Sequence, residues 1–181
     1  MFGKALRAGL QSGTIMGIAD LSTQLIVEGR QMTAPSSQET IPYDAARTLR
    51  WALIGLVLHG PYFLAGFSFL DKHFAPKSAS AVVSWKTVAQ KTVTGQLFLF
   101  PPFLVLLFGT LGFLEEDPDI TSKIQKRVPE AFASGCIYWP VANSINFKMV
   151  PSHLRVPYLA LSSGVWNSYL SYTNGKGGIN R

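Results

Sequence analysis

The stretch that decides the fold, residues 92–114, reads TVTGQLFLFPPFLVLLFGTLGFL and contains no Asp, Glu, Lys or Arg. A second stretch, residues 51–70, reads WALIGLVLHGPYFLAGFSFL and is equally free of these four residue types. A helix needs about 20 mainly apolar residues to cross the hydrocarbon core of a bilayer. Both stretches are therefore predicted to be transmembrane helices.

Three weaker candidate spans lie outside these two, at 3–27, 131–147 and 156–174. The first is the most polar, the second is short, and the third is rich in Ser and Asn. Together the five segments predict an all-α fold, a polytopic membrane helix bundle with four or more transmembrane helices, in one domain, 1–181. If only four segments cross, the N-terminus and the C-terminus share a side of the membrane.

The composition agrees with a membrane protein. Hydrophobic residues make up 48% of the chain and charged residues only 14%, whereas soluble domains average about 25% charged residues. The mean hydropathy is +0.21. The net charge is +6, but the cations are scattered singly between apolar runs, which disfavours direct nucleic-acid binding. Membrane lipids are the expected partners, with an anionic lipid such as cardiolipin as one candidate.

The first candidate span carries small residues at every fourth position, Gly9, Gly13 and Gly17 among them. This spacing places them on one helix face, and such stripes let two helix backbones approach closely in a membrane. Close helix packing is favoured over pore lining for the stripe. Asp20 and Gln24 extend the same side, and an intramembrane carboxylate is either a hydrogen-bonded structural acid or a pore-lining group.

Prolines interrupt several of the candidate spans. A proline inside a helix removes one backbone hydrogen bond and favours a kink, and the freed carbonyl needs another partner in lipid. Gln96 is a candidate partner because it precedes the proline pair of the third span by about one and a half turns. The kink or packing positions are Gly60, Pro61, Pro101, Pro140 and Pro151.

Polar side chains inside or beside the spans are the candidate functional residues. The amide side chains Gln96, Asn143 and Asn146 are predicted to line a polar lumen with Asp20 and Gln24. Charged residues near the span ends are predicted either to anchor the helices at the interface or to form a charged pore mouth. The mouth candidates are Asp44, Arg47, Arg50, Lys91 and Arg155.

No constellation typical of an enzyme occurs in the sequence. His59 has no second His, Cys or carboxylate at metal-binding spacing, so no metal site is predicted. The chain has one cysteine, which excludes an intramolecular disulfide. No paired carboxylates or activated nucleophile can be assembled. The chain is therefore not expected to be an enzyme or to bind a cofactor.

Taken together, these residues resemble an organellar family over nearly the whole chain. It is the four-span family of the twenty-two-kilodalton peroxisomal membrane protein and its mitochondrial inner-membrane relative, the Mpv-seventeen protein. The most specific piece is YWPVANSINFKMVPSHLR at 138–155. The family motif residues are Asp20, Gln24, Asp44, Arg47, Arg50, Gly55, Gly60, Pro61, Lys91, Gln96, Pro101, Trp139, Pro140, Asn146, Phe147, Pro151, Arg155 and Trp166.

The resemblance implies a non-enzymatic protein of the mitochondrial inner membrane, with the peroxisomal membrane as the alternative. It also implies a weakly selective small-solute channel that is involved in mitochondrial homeostasis. Gly95 departs from the family pattern, which usually has Asp before the glutamine. The alternative function is a structural accessory subunit or scaffold, in a homo-oligomer or a larger inner-membrane complex.

Overall fold

The charge-free stretch 92–114 lies within one continuous helical rod, Trp85–Leu114, of a helix bundle. A computed structural model describes residues 2–32, 41–74 and 83–178, and the side chains of the last of these ranges as far as 168. The described residues form helices and turns, with one isolated bridge between Gln31 and Pro42. The prediction of an all-α fold is confirmed.

Five long helices form the bundle. The first is α1, which continues into a π-helical turn, and the next two are rods in which a π-helical turn joins two α-helices. Two further helices, α6 and α7, complete it, with a short 3₁₀ turn between them. The bounds are α1 Phe2–Ser22 with π turn Thr23–Val27, α2 Ala45–Ile54, π turn Gly55–His59, α3 Gly60–His73, α4 Trp85–Thr94, π turn Gly95–Leu99, α5 Phe100–Leu114, α6 Ile120–Met149, 3₁₀ turn Ser152–Leu154 and α7 Arg155–Gly178.

Two of the described helices are long and apolar enough to cross a membrane by length and composition, Ala45–His73 and Trp85–Leu114. They contain the candidate spans 51–70 and 92–114. The candidate spans 3–27, 131–147 and 156–174 are also helical. Both C-terminal segments form helices, and the hydroxyl groups of Thr23, in the π turn after α1, and of Ser168, in α7, lie 2.6 Å apart. The last helix therefore packs against the first.

The helical rods are continuous through Gly60-Pro61 and through the pair Pro101-Pro102. A π-helical turn ends at His59, directly before Gly60-Pro61, and another ends at Leu99, shortly before the second pair. A π turn shifts the hydrogen-bond register by one residue, and Gly60 N–H and Phe100 N–H accordingly bond to the carbonyls of Gly55 and Gly95, five residues earlier. Pro140 lies inside α6, and Pro151 caps the following 3₁₀ turn. Tyr62 donates a hydrogen bond of 2.7 Å to the Leu99 carbonyl of the second π turn.

The glycine stripe of α1 faces the α2–α3 rod. A Cβ atom at Gly9 would lie 2.3 Å from the Leu56 carbonyl oxygen, and one at Gly13 would lie 2.7 Å from that of Ala52. On the other side, a Cβ at Gly60 would lie 2.5 Å from the Ala8 carbonyl oxygen. These helices touch backbone to backbone, which only residues without a side chain permit. At Gly17 the neighbour is the Ala52 methyl group, 3.3 Å from the Cβ position.

The alternating helices place charged residues at two ends of the bundle. The basic end comprises Lys4, Arg7, Asp71, Lys72, Lys86, Lys91, Lys148 and Arg155. The mixed end comprises Asp20, Glu28, Arg30, Asp44, Arg47, Arg50, Glu115, Glu116, Asp117, Asp119, Lys123, Lys126, Arg127 and Glu130. Among the described side chains, the basic end has seven cations and one carboxylate, and the mixed end has six cations and eight carboxylates.

Candidate functional site: a polar cavity between two ionic clusters

Asp20 is the centre of a cluster that joins the end of α1 to the beginning of α2. One carboxylate oxygen accepts a hydrogen bond of 2.8 Å from Arg47 Nε. The other accepts bonds of 2.6 Å from the Thr48 hydroxyl and 2.8 Å from Gln24 Nε2. Asp20 is 7% exposed. Its charge is therefore buried, paired and saturated with donors.

Gln24 completes this mixed-end cluster, which consists of Asp20, Gln24, Glu28, Asp44, Arg47 and Thr48. The Gln24 side chain accepts from the Asp44 backbone N–H at 2.8 Å and donates to the Asp44 carbonyl at 2.9 Å. The Asp44 carboxylate in turn caps α2 by accepting from the Arg47 N–H. Arg47 also donates to both Glu28 oxygens at 2.8 and 3.0 Å. The polar groups of the cluster therefore pair with one another, and these hydrogen bonds hold the end of the first helix against the beginning of α2.

A second cluster, the basic-end cluster, consists of Asp71, Lys91, Phe147 and Arg155. Lys91 Nζ lies 2.7 Å from one Asp71 oxygen, and an Arg155 terminal nitrogen lies 2.7 Å from both. Lys91 is 3% exposed and Arg155 is 7% exposed. Both cations also lie over the Phe147 ring, 5.8 and 5.5 Å from its centre. Two nearly buried cations thus share one carboxylate and one aromatic face.

Phe147 also lines a cavity between α3, the second π turn, α5, α6 and α7. The cavity has a volume of about 30 Å³. A site needs about 10–15 Å³ on this measure to hold one water molecule, so the cavity has room for about two. Its walls are Phe63, Phe67, Gly95, Leu99, Phe100, Phe103, Trp139, Asn143, Phe147, Leu159 and Ser163. None of these side chains is charged.

Unpaired polar atoms border this cavity. Trp139 Nε1 and Asn143 Oδ1 are buried and have no hydrogen-bond partner among the residues that the structure describes. Gln96, the neighbour of Gly95, donates only to Cys136 Sγ at 3.8 Å, and its Oε1 is unpaired. A buried polar group without a partner costs about 1–3 kcal/mol. Water in the cavity would satisfy such groups.

His59 joins the cavity wall to α1. It is 1% exposed, and its ring nitrogens lie 2.7 Å from the Ser12 hydroxyl and 3.4 Å from the Ser163 hydroxyl. Its ring also contacts Phe63 and Phe103, which line the cavity. His59 thus connects three helices through hydrogen bonds to two serines.

The structure separates the predicted pore-lining residues into three groups. Asp20 and Gln24 lie in the mixed-end cluster and do not line the cavity. Asn143 lines the cavity and Gln96 adjoins it. Asn146 lies in the basic-end region, where Nδ2 donates to the Arg155 carbonyl at 3.5 Å and the buried Oδ1 is unpaired.

The predicted mouth residues divide between the two ends. Asp44 and Arg47 belong to the mixed-end cluster, and Lys91 and Arg155 belong to the basic-end cluster. Arg50 is half-buried on α2 and forms no ion pair with any residue in the described ranges. The pairing of Asp44 with Arg47 is a helix cap to the arginine backbone N–H, while the Arg47 guanidinium reaches Asp20 and Glu28.

Three residues of these sites were missed by the sequence analysis. Asp71 supplies the carboxylate of the basic-end cluster, and its position at the end of an apolar stretch was the available signal. Trp139 was identified only as a family motif residue; it is 7% exposed and lines the cavity. Ser163, one residue among several serines of α7, carried no distinguishing signal. In the described part of the chain, no group of three or more His, Cys, Asp or Glu side chains is arranged to hold a metal ion.

Comparisons with known proteins assign a family to this arrangement. The family model described as "Mpv17 / PMP22 family" matches residues 112–171, which include all of α6 and part of α7. The matched segment includes Trp139 and Asn143 of the cavity and Arg155 of the basic-end cluster. No solved structure matches the chain.

Several characterised sequences are similar to the chain over most of its length. Mitochondrial inner membrane protein Mpv17 of Bos taurus is 30% identical over 165 residues, which are 90% of this chain and 86% of that protein. Protein sym-1 of Neurospora crassa is 29% identical over 171 residues, covering 94% and 92%. PXMP2/4 family protein 4 of Dictyostelium discoideum is 29% identical over 160 residues, covering 87% and 82%.

Proposed function

The chain belongs to the Mpv17 / PMP22 family, and from that premise we propose that it forms a weakly selective pathway for small solutes. The relatives named mitochondrial inner membrane protein cover about nine-tenths of the chain. The chain is accordingly a membrane protein of the mitochondrial inner membrane, and the peroxisomal membrane is the secondary alternative. A contribution to mitochondrial homeostasis is part of the proposal.

All five long helices cross the bilayer in this proposal. Arg47 and Asp71 lie on one rod, 24 residues apart, which corresponds to about 36 Å at the rise of an α-helix. The hydrocarbon core is about 30 Å thick, so it fits between the two ionic clusters. Helices α1, α6 and α7 run between the same two ends, and each buries polar side chains against neighbouring helices, such as Ser12, Asn146 and Ser162. This explains why their own hydropathy is low.

The unpaired polar atoms at the cavity carry the proposal. In lipid an unsatisfied N–H or C=O group is costly, so polar side chains at membrane depth either pair with one another or face water. The polar side chains around Asp20 pair with one another. Trp139 Nε1 and Asn143 Oδ1 lack protein partners, which favours contact with water or a polar solute. The uncharged walls would discriminate poorly by charge, consistent with weak selectivity.

The cavity of about 30 Å³ corresponds to a closed pathway. Conduction requires the walls to separate, and the second π turn, which contributes Gly95 and Leu99 to the wall, is suited to such a change because a π turn is an alternative hydrogen-bond register. On the basic-end side the cavity is bounded by Phe147, whose ring also contacts the cations Lys91 and Arg155. We assign Phe147 to the gate on that side.

Conductance in planar bilayers tests the proposal. Purified protein should give discrete conductance steps, and Asn143→Leu should lower the unitary conductance at least several-fold by making a polar site of the cavity wall apolar. Val141→Leu is the matched control, because Val141 lies on the same helix and is 61% exposed on its outer surface. The control should conduct like the original protein. Folded protein that never conducts, or equal effects of the two substitutions, would contradict a path through the cavity.

The second candidate is a structural role in a larger inner-membrane assembly. The small size of the cavity and the satisfied hydrogen bonds of the mixed-end cluster favour it. Both features are typical of a rigid bundle, which a scaffold requires and a conducting pathway does not. Native gels after extraction in mild detergent distinguish this candidate. Migration in a complex much larger than a small homo-oligomer supports the scaffold, and migration only as a monomer or small homo-oligomer counts against it.

A further inference from the structure

We propose that the groove between the beginning of α4 and the end of α6 binds one anionic phospholipid. The groove has a volume of about 320 Å³ and includes Trp85, Val141, Ile145, Lys148 and Met149 in its walls. The phosphate group would lie at Lys148, and one acyl chain would lie along α6. The site is separate from the cavity, with which it shares no lining residue.

An apolar track leads from Lys148 toward the middle of the bilayer. Val141, Ile145 and Met149 are spaced at intervals of four residues, so they lie on one face of α6 and extend over about 12 Å. They are 61%, 41% and 75% exposed. Because α6 runs toward the basic end, Val141 is the deepest of the three. This track offers an acyl chain continuous apolar contact.

Lys148 is held in position by two uncharged groups. Its Nζ donates a hydrogen bond of 2.6 Å to the Val83 carbonyl and lies 5.2 Å from the centre of the Trp85 ring. An ammonium group has three N–H donors, so two remain for a ligand. No carboxylate pairs with Lys148 in the described ranges, so its charge is not neutralised. The cation is fixed in place and retains its affinity for an anion.

The charge around the groove identifies the ligand as anionic. The groove opens at the basic end, where the described side chains include seven cations and only the carboxylate of Asp71. Lys86 is exposed and directly follows Trp85. Tryptophan is typical of the level of lipid head groups, and each basic side chain near that level attracts anionic lipid by about 1 kcal/mol. The combination of a cation and an apolar track requires a ligand with both a phosphate and an acyl chain.

Fluorescence quenching by brominated lipids tests the site in the intact protein. The protein is reconstituted in phosphatidylcholine vesicles that contain a small fraction of brominated phosphatidylglycerol or, for comparison, brominated phosphatidylcholine. Bromine quenches an indole ring on contact, and subtraction of the Trp85→Phe signal isolates Trp85. The anionic brominated lipid should quench Trp85 at a lower lipid fraction than the zwitterionic one. This difference is the signal of the site.

Substitutions at Lys148 decide whether that signal belongs to the groove. Lys148→Gln should weaken the preference for phosphatidylglycerol about fivefold, the effect expected of one basic side chain, and Lys148→Arg should preserve it. Lys126→Gln, at the exposed mixed end, is the matched control and should change nothing. Should Lys148→Gln fail to fold, Val141→Gln makes the track polar, leaves the cation in place and should also weaken quenching.

Two results would overturn the lipid site. Equal quenching of Trp85 by the two brominated lipids in the original protein would show that the groove has no preference for an anionic head group. A preference that persists unchanged in folded Lys148→Gln would place it elsewhere. Neither result depends on conductance, so the outcome is independent of the proposed pathway.

Discussion

Two groups of polar residues lie inside this bundle, and they differ in how their hydrogen bonds are satisfied. In the mixed-end cluster, Asp20 receives three hydrogen bonds and Gln24 exchanges two with the backbone of Asp44. At the cavity, Trp139 Nε1 and Asn143 Oδ1 have no partner in the described part of the chain. From the sequence alone, Asp20, Gln24 and Asn143 were all predicted to be polar residues within the membrane. The cluster stabilises the fold, whereas the cavity atoms are available to water or a solute.

The comparison predicts opposite responses to the same kind of substitution. Removal of a saturated buried group leaves its partners unpaired, which is strongly destabilising. Removal of an unpaired buried group relieves a cost and is neutral or stabilising. Stability and conductance should therefore separate between the two regions.

The largest expected effect is at Asp20. Asp20→Leu leaves Arg47 Nε and the Thr48 hydroxyl without their acceptor, and it should lower the free energy of unfolding by about 3 kcal/mol. Unfolding in detergent micelles, followed by circular dichroism against denaturant, measures the loss. Asp20→Asn keeps one acceptor and should lose less. A loss of less than about 0.5 kcal/mol for Asp20→Leu would contradict the claim that the mixed-end cluster stabilises the fold.

The glycines beside the π turns give the next effect. A Cβ at Gly60 would lie 2.5 Å from the Ala8 carbonyl oxygen, so Gly60→Ala should cost about 2 kcal/mol by overpacking. Gly95 is the matched position, because it begins the second π turn and lines the cavity. Its added Cβ would meet only Leu70 Cδ1, at 3.7 Å. Gly95→Ala should therefore be neutral or slightly stabilising, and equal losses at the two glycines would remove the distinction.

Asn143→Leu should change stability in the other direction from Asp20→Leu. Its Oδ1 has no partner to lose, so we expect an unchanged free energy of unfolding or a gain of about 1 kcal/mol. The same denaturant series measures it beside Asp20→Leu. A loss comparable to that of Asp20→Leu would show that Asn143 is also structural.

The smallest effect concerns pH at the mixed end. The Asp119 backbone N–H and the Lys123 ammonium hold the pKa of Asp117 below its ordinary value. A lowered pKa in the folded state means that the contribution to stability is present above the ordinary pKa and is lost as pH falls through the lowered one. The protection factors of the Asp119 and Ser122 amides, which correct for the intrinsic slowing of exchange at low pH, should therefore fall slightly at acid pH, and Asp117→Asn should abolish this dependence. An unchanged pH dependence in Asp117→Asn would assign it to another group.

Much of the fold was predictable from sequence because it depends on composition and spacing. The absence of charges over 92–114 and 51–70 predicted two helical rods, and the four-residue spacing of Gly9, Gly13 and Gly17 predicted a small-residue face. The motif order also predicted the family. The π turns were not predictable, because the proline positions indicate a missing donor and leave open whether the helix kinks or shifts its register.

The candidate site was only partly predictable. Asn143 and Gln96 were identified as intramembrane amides, but nothing in their local sequence separated them from Asp20 and Gln24. That separation depends on long-range partners such as Thr48 and Arg47, which hydrogen-bond to one residue of the set and not to another. The burial of Trp139 was not predictable, because its residue type favours the interface and its burial depends on the tertiary packing of Phe100 and Trp166 around it.

Thiol accessibility tests the central claim that the cavity, and not the mixed-end cluster, is the aqueous site. In a Cys136→Ser background, single cysteines at Asn143, Val141 and Gln24 are exposed to a charged, membrane-impermeant methanethiosulfonate reagent in reconstituted vesicles. We predict that the cysteine at 143 reacts while the pathway is open and that this reaction reduces conductance. The cysteines at 141, which faces lipid, and at 24, which is enclosed, should react much more slowly. Slower reaction at 143 than at 24, in folded protein, would contradict the account.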